Sequence, residues 1–241
     1  MDTPDSGFPH PPEGPLPTPA WEPPPEPVEP PPATPLPWED PLGHPAFWPR
    51  LGAMFTLLFS DPLAYGARVR AGEGLLRPWT FVLTLATPLF ALMLLVLGFL
   101  SLLFGVLLRA EFKEMPVWLL PLVGLSALVL LPVFLFLQMA AWGLLNHLAL
   151  WLWGGLRPGA GVEATLRLTG YALGFYTLGS LIPLVNYAVL VVVPVVLGMA
   201  LARLHGTDTW RGICAAFTPV LFCCCLYAAW IGAMIVLIPK T

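Results

Sequence analysis

The uncharged run LTGYALGFYTLGSLIPLVNYAVLVVVPVVLGMALA, residues 168–202, decides how this chain can fold. Wound as one helix it would extend about 52 Å, well beyond a hydrocarbon core of about 30 Å. Near its middle stands IPLVN, residues 182–186. Pro183 has no N–H to give to a helix ladder and Asn186 tolerates turn geometry, so the run reads as two short spans joined by a tight hairpin. Working outward, residues 78–108 and 212–239 are also free of charge, and each is long enough for one crossing. Residues 115–156 carry no charge either, but Gln138, Asn146 and His147 make the later part a poor second crossing. One helix from about residue 117 is expected there, its end emerging through the interface with Trp142, Trp151 and Trp153. The spans therefore fall at about 79–108, 117–141, 168–183, 186–204 and 212–238. The fold class is all-α, a multi-pass membrane helical bundle with about five transmembrane helices.

Composition agrees. Hydrophobic residues make up 57% of the 241 positions and charged residues 10%, against roughly 25% charged in soluble domains. The mean hydropathy is +0.79. Polarity is concentrated at the amino end, which separates a tail, residues 1–49, from a membrane domain, residues 50–241. The tail holds 19 of the 30 prolines, eight acidic residues and no Lys or Arg. Ring-locked φ angles and missing N–H donors suit EPPPEPVEPPPATPLP, residues 22–37, to an extended, solvated, disordered chain. It is either an entropic spacer or a docking strip for aromatic-lined proline-binding grooves. No basic n-region or apolar h-region marks a secretory signal.

With five spans, Arg50, Arg68, Arg70, Arg77, Arg157, Arg167, Arg203 and Arg211 fall on one side, and Arg109, Lys113 and Lys240 on the other. The positive-inside rule then puts the amino terminus in the cytoplasm and the carboxyl terminus outside. Between tail and first span, residues 47–79 mix arginines with Phe55, Leu57, Leu58 and Phe59. They read as an amphipathic helix, lying in the cytoplasmic leaflet or packed on the bundle.

The element SDPLAY, with Asp61 and Pro62, and the run from Leu168 to Pro219 resemble the Yip-domain family of Ypt/Rab-GTPase-interacting membrane proteins, prokaryotic-type members most closely. The likeness covers about residues 47–238. It rests mainly on Tyr171, Ile182-Pro183, the His205-Gly206-Thr207 turn, Arg211 and Pro219. The resemblance implies a multi-pass protein with a cytosolic amino terminus, in the cytoplasmic (inner) membrane of a prokaryote. In the eukaryotic members it implies binding of prenylated GTPases and a role in membrane trafficking. It marks Asp61, Pro62, Tyr171, Pro183, His205 and Arg211 as a partner or packing surface.

The five expected cores contain no Asp, Glu, Lys or Arg, which argues against ion-coupled transport. No nucleophile–base or metal-ligand spacing is present, so no enzyme activity, cofactor or metal is expected. Gln138, Asn146 and His147 form a candidate intramembrane polar cluster, read as a binding site or as interhelical hydrogen bonds. Cys223, Cys224 and Cys225 lie about 17 Å along the last helix from residue 212 and are expected to pack as small buried apolar groups. In LARLHGTDTWRG, residues 201–212, Gly206 is placed to end one helix and Thr207 or Asp208 to cap the next. GYALG at 170–174 and GMALA at 198–202 permit close helix approach.

The function expected is that of an integral membrane scaffold or adaptor, organising cytoplasmic partners or membrane shape without catalysis. A small channel, transporter or lipid-handling protein is the alternative, with prolines at positions 88, 121, 132, 183, 194 and 219 kinking helices around a cavity. Expected partners are membrane lipids, cytoplasmic proteins through tail and loops, and a second copy of the chain; nucleic acid is not among them.

Overall fold

A computed structural model describes residues 34–107, 119–156, 160–180 and 183–237. Among these, all regular structure is helical: α1 Phe47–Ser60, α2 Pro62–Arg68, α3 Leu76–Leu107, α4 Leu119–Leu152, α5 Val162–Ser180, α6 Pro183–His205 and α7 Thr209–Leu237. Four segments, Leu76–Leu100, Gly124–Leu152, Val185–His205 and Thr209–Met234, are long and apolar enough to cross a membrane. Their outward faces are strongly apolar, with Leu95, Phe99, Val129, Phe134, Leu221 and Tyr227 more than 45% exposed. Water would not tolerate such a band on a monomer, and a bilayer requires it. The chain is built as an integral membrane protein.

α5 is the axis of the bundle. Its start meets the residues before α3 through Arg167 and Gly74, the end of α4 through Gly143 packed on Leu166, and the end of α6 through Thr165 and His205. The long helices therefore alternate in direction, with the start of α3, the end of α4, the start of α5, the end of α6 and the start of α7 at one end. Close approach depends on missing side chains. A Cβ at Gly174 would stand 2.5 Å from the Phe81 ring, and one at Gly170 2.7 Å from Met139 Sδ.

α6 and α7 touch more closely still, since a Cβ at Gly212 would lie 2.1 Å from the Gly198 carbonyl oxygen. Between them Gly206 takes the left-handed φ of 58°, and Thr207 N–H donates to the Ala202 carbonyl at 2.9 Å to close a Schellman cap. The expected turn is formed with Gly206 in its expected place, and α7 begins directly after Asp208.

The helix boundaries depart from expectation in specific ways. α4 runs unbroken to Leu152, so its apolar segment extends well past residue 141. α5 begins at Val162, not near 168, and brings Glu163 and Arg167 into the bundle. α6 begins at Pro183, inside IPLVN, and Asn186 lies within that helix and not in a turn; residues 181–182 lie outside the described residues. α7 starts three residues early, at Thr209.

One packing expectation is corrected and one alternative is decided. Cys223, Cys224 and Cys225 are exposed, not buried: α7 is exposed throughout from Leu221 to Met234. Of the two readings of segment 47–79, packing on the bundle is the one seen: Met54, Leu58 and Tyr65 are fully buried, and Gly66 of α2 presses on the Ala200 carbonyl. Phe55 alone of the four named apolar residues stays largely exposed.

The tail boundary also moves. Residues from Thr34 belong to the same compact unit as the helices, and Leu36 is fully buried in the main core. Positions 1–33, with the runs of proline, lie outside the described residues, as do Arg109, Lys113, Arg157 and Lys240.

Gly212→Ala is expected to lower the melting temperature of the detergent-solubilised protein by several degrees, as overpacking against backbone costs about 1–3 kcal/mol. Gly232→Ala, where a Cβ meets nothing within 4 Å, should leave it unchanged. Equal melting of both would show that α6 and α7 do not meet at Gly198 and Gly212.

Candidate functional site

The helix ends gathered around the start of α5 carry the polar chemistry of the molecule. Arg167, one turn into α5, has a side chain with no exposed surface. Its guanidinium donates to Glu39 Oε1, to Glu73 Oε2 at 2.6 Å and to the Gly74 carbonyl at 2.8 Å. Tyr171, one turn further and on the same face, donates its hydroxyl to the same Glu39 oxygen at 2.6 Å. A buried cation with two carboxylates and a carbonyl is thus nearly saturated; only Nε lacks a partner.

The clamp gathers three distant pieces of chain. Glu39 lies in an N-terminal strap, residues 34–46; Glu73 and Gly74 lie in the turn between α2 and α3; Arg167 and Tyr171 lie on α5. Glu163 helps by accepting from Gly74 N–H at 2.7 Å. Beside the ion pair, Trp38 of the strap stands edge-on to Phe81 of α3 at 4.8 Å, with the Arg50 guanidinium 5.7 Å above its own ring. Tyr65 lies below, its hydroxyl donating to the Leu168 carbonyl at 3.0 Å. Burial holds that phenol well above its ordinary value, so it stays a donor.

Burial also raises Glu39 above the ordinary carboxylate value, against the opposing pull of Tyr171 and Arg167. Two donors converging on one oxygen are the arrangement that a carboxylate accepts.

A second polar chain lies nearby in the interior. Thr165 Oγ1 of α5 sits 3.0 Å from His147 Nδ1 of α4 and 2.9 Å from His205 Nε2 of α6. Asn146 donates to Thr169 at 3.1 Å. Three helices are tied together by two threonines of α5, spaced one turn apart. Gln138 makes no hydrogen bond with this chain and stands half-buried on α4. Among the described residues no group of acidic, His or Cys side chains could hold a metal ion.

The residues expected at a partner or packing surface divide. Tyr171 and His205 are buried, 0% and 2% exposed, and serve the two polar clusters. Asp61 caps α2, accepting from Ala64 N–H at 2.9 Å, and Pro62 occupies the first helical position. Pro183 opens α6. Asp61 is exposed and Arg211 half-exposed; Arg211 donates to the Gly154 carbonyl at 2.8 Å, pairs with Asp208 at 3.4 Å and lies over Trp210 at 5.4 Å. It ties the end of α4 to the start of α7.

Arg167 and Glu39 were each visible in the sequence, Arg167 counted only as one of eight arginines on the cytoplasmic side and Glu39 as one of eight tail acids. The helical spacing of Arg167 and Tyr171 was the available signal. The chain matches no family model, and no curated protein or solved structure is significantly similar to it.

Tyr171→Phe should destabilise the protein by about 1–3 kcal/mol, because it strips a donor from a buried carboxylate. Since Glu39 titrates above 4.5 when folded, the native state there holds more protons than the unfolded chain, and the contribution of Glu39 to stability falls as pH rises through that window. Melting curves from pH 4 to 7 should lose this component in Glu39→Gln. An unchanged slope in that variant would assign the titration elsewhere.

Proposed function

We propose that this chain is a membrane scaffold or adaptor of the Yip-domain type, a prokaryotic-type member, which presents an acidic proline-rich tail to cytoplasmic partners and carries out no catalysis. The observation that carries this reading is the clamped strap. The strap is fixed to the bundle from Leu36 onward, because Leu36, Trp38 and Glu39 are seated in or against the core. Rooting a spacer so firmly suits presentation of the tail at a defined place.

Under this reading α5 is a fifth crossing. Its 19 residues span about 28 Å. Hydropathy alone overlooks it, since neighbours α3, α4 and α6 shield it from lipid and Arg167 is neutralised within the protein. The alternating directions of the long helices favour this reading. With five crossings, the end bearing Arg50, Arg68, Arg70, Arg77, Arg203 and Arg211 faces the cytoplasm by the positive-inside rule. Arg167, spent on the clamp, is not one of the lipid-facing cations that set this bias.

The alternative, a small channel or lipid-handling protein, draws support from the His147–Thr165–His205 chain and from a cavity of about 420 Å³ between α3 and α4, lined by Phe90, Met93, Leu131 and Phe134. The cavity is apolar and the histidine chain is packed shut around His205, so neither forms a continuous polar path.

Photo-crosslinking in native membranes compares the full chain with a version lacking residues 1–33. The adaptor reading expects partners on the full chain that disappear on truncation while melting is unchanged; identical partner sets would overturn it. Reporter fusions at the two ends should report opposite sides of the membrane, and the same side for both would exclude five crossings.

A further inference from the structure

Two girdles of exposed aromatic side chains frame the bundle. Trp48, Trp151 and Trp210 stand at the end that gathers the start of α5, the head, and Tyr187, Tyr227 and Trp230 stand at the other. Tyr187 lies 18 residues from His205, and Tyr227 lies 17 from Trp210, which is about 26 Å along either helix. Aromatic girdles at that separation mark the two faces of a hydrocarbon core of about 30 Å.

Between these levels α1 and α2 run down and back. α1 starts beside the clamp, with Phe47 6.0 Å from Trp38, and ends with Phe59 against Phe175 of α5 at 5.9 Å. Phe175 stands ten residues past Thr165, which is level with His147 and His205, and so lies about 15 Å deeper. α2 then climbs: Tyr65 donates to the Leu168 carbonyl, Gly66 meets Ala200, and the Gly74 carbonyl is back at Arg167. The pair is a re-entrant hairpin that turns at Ser60-Asp61, about halfway between the girdles. Its inner face, with Met54, Leu58 and Tyr65, is core. Its outer face carries exposed Phe55 and Leu63, which at this depth meet lipid chains.

We propose that this hairpin enters the head-side leaflet alone and deforms it, so that the chain favours membrane that is convex on the head side. Spanning helices displace lipid from both leaflets, whereas α1 and α2, each about 10–12 Å across, displace it from one. Among the described residues no half-depth element enters the opposite leaflet. Ser60 and Asp61 at the tip are exposed, and a carboxylate in hydrocarbon is costly enough to draw water and headgroups toward it. Added volume and a polar tip on one side of the midplane strain the two leaflets unequally, and the strain is relieved where the head-side leaflet is expanded. The partner is the lipid surface itself. The inference depends neither on what the tail binds nor on which compartment the head faces.

The test uses the full chain with its four cysteines replaced by alanine, reconstituted into phosphatidylcholine–phosphatidylglycerol vesicles. Spin labels on Phe55→Cys and on Leu63→Cys should be more accessible to oxygen than to a water-soluble nickel chelate. Labels at both positions that favour the chelate would put the hairpin outside the leaflet and overturn the proposal. In a second measurement, a membrane-impermeant dye on Leu42→Cys, an exposed position of the strap, marks the copies whose head faces outward. In narrow tubes pulled from giant vesicles these copies should be enriched about twofold over a lipid dye, as curvature-sensitive insertion requires. Phe55→Ser with Leu63→Ser, which leaves the buried face intact, should reduce the enrichment at an unchanged melting temperature. Equal density of marked copies in tube and vesicle would overturn the proposal, as would enrichment that persists undiminished in the serine variant.

Discussion

A guanidinium withdrawn from water has to be matched by anions and acceptors, because its desolvation costs several kcal/mol and it cannot shed its proton. Arg167 has no exposed surface, so every element that carries one of its partners is bound to the position of α5. The N-terminal strap supplies Glu39, the turn before α3 supplies Glu73 and Gly74, and Tyr171 completes the set from α5 itself. The clamp therefore joins pieces far apart in sequence into one unit. The hydrophobic effect provides no such specificity, since lipid is as good a partner for leucine as another helix is.

Around this clamp the bundle is tight, and away from it the bundle loosens. Near the start of α5, glycines at 66, 143, 170, 174, 198 and 212 let backbones and rings meet where a Cβ would collide. Two threonines of α5 add hydrogen bonds to His147, His205 and Asn146. Further along, α7 from Leu221 to Met234 and α3 from Leu95 to Leu100 are exposed on all sides to what must be hydrocarbon. The molecule is a polar-stitched head with apolar legs. The strap from Thr34 is part of that head, with Leu36 and Glu39 buried in it.

Much of the fold could be read from charge-free length: four apolar helices, the start of α6 at Pro183 and the Gly206 turn all follow from local rules about span length, proline and left-handed glycine. The sequence misled where a residue's role depended on distant chain. Arg167 stands one residue before an uncharged run, so it reads as an anchor at the lipid surface, and only the strap folding back 128 positions in sequence makes it internal. Glu39 sits at the end of a proline-rich acidic tract and shares its composition, but Leu36 and Trp38 beside it have a core to enter. The cysteines failed for the opposite reason. Depth along a helix was legible, whereas which face met protein was not, and that part of α7 is exposed.

The polar chain at His147 was half legible. Asn146 and His147 were recognised as interior polar groups, and their partners Thr165, Thr169 and His205 came from tertiary packing alone. The central claim, that the strap is held by a buried ion pair, is tested most directly by a double-mutant cycle on Arg167→Met and Glu39→Leu, read as unfolding free energy. Each single change leaves a buried group without its partner, at about 3–5 kcal/mol, while the pair replaces both with apolar groups. The double variant should therefore lose at least about 2 kcal/mol less than the sum of the singles. Losses that add to within about 0.5 kcal/mol, as for independent sites, would contradict the clamp.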